Sequence, residues 1–265
     1  MSRLAGKVAV ITGGAGEIGS TTAKLFFQEG AKVLLVDINE GACKKAIDTI
    51  SNDGSISCFA ADVTKPEQVQ AYAQAAVDRY GGIDVFCNNA GMEGVVSLTH
   101  EYPDDVFRKV MDVNVFGAFL GMKFVTPFIL ARGGGSIIIT SSVAGVTGMP
   151  ALSAYVTSKH ALIGLMRVAA LEYAPFNVRT NCINPSPVET RMMRSLESGL
   201  LPLASLRLGT EVTQEQIHQL LSERIAMGRY ATTEDVARVM LFLASDDSRF
   251  CNGGIYMVDG GYSTA

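Results

Sequence analysis

Three side chains between Ser142 and Lys159, in SVAGVTGMPALSAYVTSK, have the types and spacing to move a proton. Tyr155 and Lys159 stand at i and i+4. If Ser153 opens a helix, they stack on one face about a turn apart. A phenol with a pKa near ~10 is a poor acid or base at neutral pH. A lysine cation beside it favours the phenolate and is expected to bring that pKa toward the working range. Ser142, just past an apolar run that reads as a strand, is placed to hydrogen-bond the same substrate oxygen. Tyrosine and lysine four apart occur by chance in many helices, so the pair counts only together with the rest of the chain.

The elements that must position these groups follow from the apolar pattern. Lys7 to Thr12, Ala31 to Asp37, Ser55 to Ala61, Ile83 to Cys87, Ser136 to Thr140, Val178 to Ile183 and Ile255 to Val258 read as short buried strands. Helices are expected after the first glycine turn, over Ile38 to Ile50, from Pro66 to about Tyr80, over Ser153 to Ala174 and over Thr233 to Ala244. The last is capped by Thr232 or Thr233, with Asp235 in its first turn. Pro103 to Ala131 reads as mostly helical with an interruption at Pro127, and 186–227 as a helical insertion. Strands that are continuous apolar runs alternating with helices predict an α/β fold. Its form is a doubly wound parallel sheet covered by helices on both faces, in one domain over 1–265.

In such a sheet, ligands sit at the carboxyl ends of the strands near the switch in strand order. The turn from Thr12 to Gly19, TGGAGEIG, lies between a strand and a helix, the setting a phosphate cradle requires. Its glycines permit a tight turn, and the helix N-terminus offers free N–H groups. Asp37 ends the second strand, where a carboxylate can accept from the adenosine ribose hydroxyls and would repel a 2′-phosphate. Ile38 follows, with no arginine to welcome that phosphate, so NAD is expected over NADP. Asp62, after the third strand, is either an acceptor for the adenine amino group or a cap.

The 265 residues carry a formal net charge of −4 and no basic cluster, which argues against nucleic acid as a partner. Cys43, Cys58, Cys87, Cys182 and Cys251 are scattered, as expected of core thiols in a reducing compartment, and no metal site is expected. The first residues lack the pattern of a signal peptide. The apolar run Phe116 to Leu130 carries Lys123 and Pro127 and reads as too short to span a bilayer. A cytoplasmic location without membrane contact is therefore expected.

The chain resembles the short-chain dehydrogenase/reductase family along essentially its whole length. The likeness rests on TGGAGEIG at 12–19, Asp62-Val63, NNAG at 88–91, Asn114 within DVNVFG, Ser142, and YVTSK at 155–159. This resemblance implies a Rossmann-type sheet of seven parallel strands, hydride transfer between a nicotinamide cofactor and an alcohol or carbonyl, and a homotetramer. By the same resemblance Tyr155 is the general acid/base and Ser142 polarises the substrate oxygen. Lys159 lowers the Tyr155 pKa and holds the nicotinamide ribose, while Asn114 keeps a water in a relay behind Lys159. Gly13, Gly16, Glu17, Ile18, Gly19, Asp37, Ile38, Asp62, Val63, Asn89, Ala90 and Gly91 are assigned to the cofactor. Pro185, Val188 and Thr190 join them at the nicotinamide, with Tyr155 and Lys159.

Two positions depart from the family pattern. Glu17 replaces the middle glycine of the turn, and Ser186 replaces the glycine after Pro185. A carboxylate facing pyrophosphate would repel it, so Glu17 is expected to point to solvent. At the substrate end, Met92, Met149, Leu152, Pro187, Met192, Met193 and Leu196 are candidate walls, with Ser142 and Tyr155 at the reacting oxygen. Glu93 is either a contact at the mouth or solvated. No arginine is obviously placed for a carboxylate or phosphate, which favours an uncharged, fairly apolar and possibly cyclic alcohol or ketone. Two other functional classes fit the sequence less well. A non-catalytic NAD-binding regulator would not need Asn114, Ser142, Tyr155 and Lys159 together. A serine hydrolase would need a GxSxG elbow that the chain lacks.

Overall fold

The computed structural model describes residues 2–51 and 53–264. Seven strands form one parallel sheet: β1 Val8–Thr12, β2 Lys32–Asp37, β3 Ile56–Ala60, β4 Val85–Asn88, β5 Gly135–Thr140, β6 Val178–Pro185 and β7 Ile255–Val258. Their order is β3-β2-β1-β4-β5-β6-β7, so the direction of winding reverses between β1 and β4. The expected Rossmann-type architecture is present.

Side chains along each strand alternate between two buried faces. Val10, Leu34, Phe86 and Ile137 point to one face, where they meet α3 Pro66–Tyr80, α5 Gly117–Ala131 and α6 Ser153–Tyr173. Ala9, Ile11, Leu35 and Cys87 point to the other, against α1 Glu17–Gln28, α2 Glu40–Asp48 and α9 Thr233–Ala244. Phe86 is fully buried, and truncating it to alanine would cost about 3–5 kcal/mol. The five cysteines are free, with Cys43, Cys87 and Cys182 buried.

Helix ends follow local chemistry. Pro66 opens α3 and Gly81, at φ 88°, closes it in the left-handed region that favours glycine. Thr232 and Asp235 form a reciprocal capping box at the start of α9. The segment read as an insertion holds two helices, α7 Arg191–Leu208 and α8 Gln214–Glu223.

The long helix of 104–131 differs from expectation. It does not break at Pro127, which lies inside α5. The irregularity comes earlier, as a π-helical turn at Asp112–Phe116 between α4 Asp104–Met111 and α5. Such turns are frequent at functional sites because the wider coil re-aims one side chain; here that side chain is Asn114. The run Asp104–Ala131 is 28 residues, long and apolar enough to cross a membrane by length and composition, contrary to the shorter reading. Half of its most apolar stretch is buried within the fold, and α5 packs on α3 and β4.

Candidate active site

A cavity of about 700 Å³ opens at the carboxyl ends of β1, β2, β4, β5 and β6, where the winding reverses. That size lies within the range of ordinary ligand pockets, about 300–1,000 Å³. A smaller groove of about 310 Å³ lies at the opposite, amino ends of β1, β4, β5 and β6, away from the motifs.

The glycine turn forms one end of the cavity. Gly13 has φ +63°, and the N–H of Gly16 donates to its carbonyl at 3.1 Å. A Cβ at Gly19 would collide with the Gly13 carbonyl oxygen, so this position needs glycine. Asp37 is held with its carboxylate at this end: Oδ2 accepts from the Ala15 N–H at 3.0 Å, and Oδ1 from the Asn39 N–H at 3.1 Å. Thr12 ties the turn to the NNAG loop, its hydroxyl accepting from the N–H groups of Asn89 at 3.0 Å and Ala90 at 3.1 Å. Asn89 in turn donates to the Thr12 carbonyl and accepts from the Thr140 hydroxyl, each at 3.1 Å.

Not every expected cofactor residue reaches the cavity wall. Gly13, Gly16, Glu17, Ile18, Gly19, Asp37, Asn89, Gly91, Pro185, Val188 and Thr190 do. Ile38 is 73% exposed, and Ala90, Asp62 and Val63 lie off the wall. The Asp62 carboxylate instead closes a turn, accepting from the N–H and hydroxyl of Thr64 at 2.9 and 2.7 Å. Val63 packs against Gly117 at the start of α5.

The remaining end gathers the proton-handling groups. Ser142, Tyr155 and Lys159 line the same cavity. Ser142 follows β5 and accepts from the Ala144 N–H at 3.1 Å, while Tyr155 and Lys159 share one face of α6. Lys159 donates its Nζ–H to the Thr140 carbonyl at 2.8 Å and stands 5.4 Å from the centre of the Tyr155 ring. Asn114 lies behind them, beside Gly91. Its Oδ1 accepts from the Met92 N–H at 2.8 Å, and its Nδ2 donates to the Met92 carbonyl and the Ser158 hydroxyl, both at 2.9 Å. Ser158 was not foreseen, although it follows Tyr155 by three and donates to the Tyr155 carbonyl.

The expected lowering of the Tyr155 pKa is not what this arrangement produces. Burial pushes the phenol up to about 12; a hydrogen bond with Ser142 works against the shift, and the Glu93 charge adds to it. Burial likewise pushes Lys159 down to about 8, which weakens the cation meant to stabilise the phenolate. Its ammonium is also directed at the Thr140 carbonyl.

At the substrate end Met149, Leu152, Pro187, Met192, Met193 and Leu196 form a largely apolar wall. Met92 does not belong to it; it packs against the side cluster of Tyr102, Val110 and Ala154. Two further corrections concern charge. Arg191 and Arg194 stand on the cavity wall, where no arginine was expected. The RMMR spacing that opens α7 was the available signal, since it puts both in one helical turn. Glu17 does not face bulk solvent alone: Oε2 accepts from the Arg191 N–H at 2.7 Å and Oε1 from Arg194 Nη2 at 3.2 Å. Tyr262, past the last strand, also reaches the wall without any sequence signal.

The residues present fit a dinucleotide. The glycine turn leaves no room for a Cβ at Gly19, N–H groups open α1, and a carboxylate waits at the end of β2. The Ser186 hydroxyl, buried on the wall, has no partner among the described residues and is free to meet a bound polar group. The loop around it is pinned by bonds from Ser186 N–H to Val258 and from Ala231 N–H to Pro187. No group of three His, Cys, Asp or Glu able to hold a metal occurs among the described residues.

Residues 13–263 match the family model described as enoyl-(acyl carrier protein) reductase. The chain belongs to the short-chain dehydrogenase/reductase family. It is 37% identical to a cyclohexanol dehydrogenase of Acinetobacter sp. (strain SE19), over 97% of this chain and 95% of that one. It is 35% identical to a levodione reductase of Leifsonia aquatica, over 100% and 97% of the two chains. Among solved structures it resembles NAD⁺-bound xylitol dehydrogenase, with a TM-score of 0.91, 34% identity, and coverage of 98% of this chain and 100% of the other. This short-chain dehydrogenase/reductase is therefore an oxidoreductase, and its family binds a nicotinamide cofactor.

Proposed function

We propose that this oxidoreductase interconverts a secondary alcohol and a ketone with NAD, using Tyr155 as general acid/base. The observation that carries the reading is the convergence of Ser142, Tyr155 and Lys159 on the cavity whose other end is the glycine turn and Asp37. In oxidation the Tyr155 phenolate takes the hydroxyl proton while Ser142 holds the oxygen, and Lys159, 5.4 Å from the ring centre, favours the phenolate only in its protonated form. Asn114, locked by Met92 and Ser158, keeps the backbone behind Lys159 in place. The glycine turn, Asp37, Val188 and Thr190 would hold a nicotinamide dinucleotide, which when bound in its oxidised form would supply the hydride acceptor. Ser142 and Tyr155 together fix the reacting oxygen, and the methionine-rich wall excludes water from it.

NAD is preferred because Asp37 sits where a 2′-phosphate would meet a carboxylate. The substrate is an uncharged, fairly apolar alcohol or ketone, which Met149, Met192 and Leu196 support, and relatives named for cyclohexanol and levodione favour a cyclic one. We further infer a homotetramer in the cytoplasm. Exposed Phe116 and Phe119 on the long helix and Val168 and Leu171 on α6 give it apolar contact surface. Sedimentation of the purified protein tests the assembly.

The function is tested by following reduced nicotinamide with NAD⁺ or NADP⁺ and a panel of secondary alcohols, cyclohexanol included. Turnover with NAD⁺ and little with NADP⁺ is expected. Tight NAD binding without turnover on any alcohol would instead favour a cofactor-binding regulator.

A further inference from the structure

We propose that Glu17 is a positioning residue that latches the first turn of α7 across the cavity and couples cofactor binding to the order of that helix; this rests on the dinucleotide reading above. Glu17 is the first residue of α1, at the end of the glycine turn. Its carboxylate crosses to another element, accepting from the Arg191 N–H at 2.7 Å and from Arg194 Nη2 at 3.2 Å. The other cap of α7 is its own Thr190, whose hydroxyl accepts from the Met193 N–H at 3.3 Å. Two helix N-termini thus converge on one carboxylate, the charge that a positive helix end favours.

The first turn of α7 needs such an anchor, because the buried Glu197, which accepts from the Tyr230 hydroxyl at 2.8 Å, holds only the next turn. Of the 18 residues of α7, only Leu196 and Glu197 are buried. An element with so little buried apolar surface opens locally at small cost. Yet the same helix carries Met192, Met193 and Leu196 of the substrate wall, next to Val188 and Thr190 on the nicotinamide side. Glu17 is therefore a direct link from the phosphate cradle to the substrate wall. Where the family has glycine, this link cannot form.

Repulsion between Glu17 and pyrophosphate would have the opposite consequence, which makes the proposal decidable. If repulsion dominates, removing the carboxylate tightens NAD binding. If the latch dominates, removal loosens α7 and weakens NAD binding. Arg191 and Arg194 are exposed, so trypsin can report the order of this turn in the cofactor-free protein.

The experiment compares wild type with Glu17→Gly, Glu17→Gln and Arg194→Met. It reads tryptic cleavage after Arg191 by mass spectrometry, NAD⁺ affinity by calorimetry and steady-state kinetics on an accepted alcohol, with melting curves to verify the fold. Glu17→Gly should be cleaved several-fold faster and bind NAD⁺ about three- to tenfold more weakly, as for loss of a charged hydrogen bond that is partly exposed. Its alcohol KM should rise by more than its kcat falls. Glu17→Gln, whose amide oxygen still accepts from Arg191, should lie between. Arg194→Met should change NAD⁺ affinity less than about fivefold, because an exposed ion pair contributes little. Unchanged cleavage in Glu17→Gly, or tighter NAD⁺ binding, would overturn the latch. Faster cleavage with unchanged NAD⁺ affinity would overturn the coupling. Cleavage and calorimetry need no turnover, so they decide the proposal even if the alcohol reading fails.

Discussion

Lys159 gives its ammonium to the carbonyl of Thr140 at 2.8 Å and stands 5.4 Å from the centre of the Tyr155 ring. The strand end that bears the substrate-facing serine thus also fixes the cation on α6. Tyr155 lies on the same face of α6, with its phenol pushed up to about 12 by burial.

The pH dependence of the two directions follows. Oxidation needs the phenolate and reduction needs the phenol, so with the phenol at about 12 alcohol oxidation should climb with pH above neutrality while ketone reduction stays level until the pH nears 12. Rate profiles at saturating cofactor check this, and parallel profiles for both directions would contradict it. Stability has its own signature. Lys159 titrates at about 8 in the fold and at ~10.4 in the unfolded chain, which therefore binds the extra proton between those values. Its contribution to stability rises as pH climbs through that window. The melting temperature of wild type relative to Lys159→Met should increase from about pH 8 toward ~10.4, and a constant difference would argue against the shifted lysine.

Much of this site was legible in the sequence because its chemistry is local. The Tyr155–Lys159 spacing, the glycine turn and Asp37 at a strand end each sit within one element whose pattern is strong. What escaped depends on contacts between distant segments. Glu17 meets Arg191 across 174 positions, and nothing near either residue signals the pairing. Met92 resembles the wall methionines in type and place, yet tertiary packing puts it against Tyr102 and Val110. Pro127 was a sound reason to expect a break, but the helix absorbs it, and the irregularity falls where Asn114 must turn inward. The Tyr155 pKa lies above the sequence expectation because spacing reveals a neighbouring charge but not the depth of burial.

Removing the Asp37 carboxylate should loosen the discrimination between cofactors. Hydrogen bonds to a charged group contribute about 1.5–3 kcal/mol, so Asp37→Ala should weaken NAD⁺ binding by about tenfold or more. NADP⁺ should be affected less or gain. Calorimetry with both cofactors reads the ratio, and an unchanged ratio would remove Asp37 from the specificity argument.

Gly19→Ala should disable the cradle. The added methyl collides with the Gly13 carbonyl, backbone that cannot swing aside. Overpacking of this kind costs about 1–3 kcal/mol, and the turn must shift away from its N–H donors. A lower melting temperature with loss of NAD⁺ binding is expected; a variant that binds NAD⁺ like wild type would mean that the turn is not the phosphate site.

The two methionines separate wall from packing. Met192→Ala opens the cavity and should change KM and the ranking of alcohols by ring size. Met92→Ala should lower the melting temperature and move KM much less. The reverse pattern would put the substrate against Met92 rather than the α7 wall.

The central claim is tested most directly by single-turnover formation of reduced nicotinamide with NAD⁺ and a cyclic secondary alcohol, comparing wild type with Tyr155→Phe. The phenyl ring keeps the packing and removes only the hydroxyl. The account predicts a rate lower by ~10²–10⁴-fold, the ordinary contribution of general acid/base catalysis, with the fold and NAD⁺ binding retained. A Tyr155→Phe rate within a few-fold of wild type would contradict it.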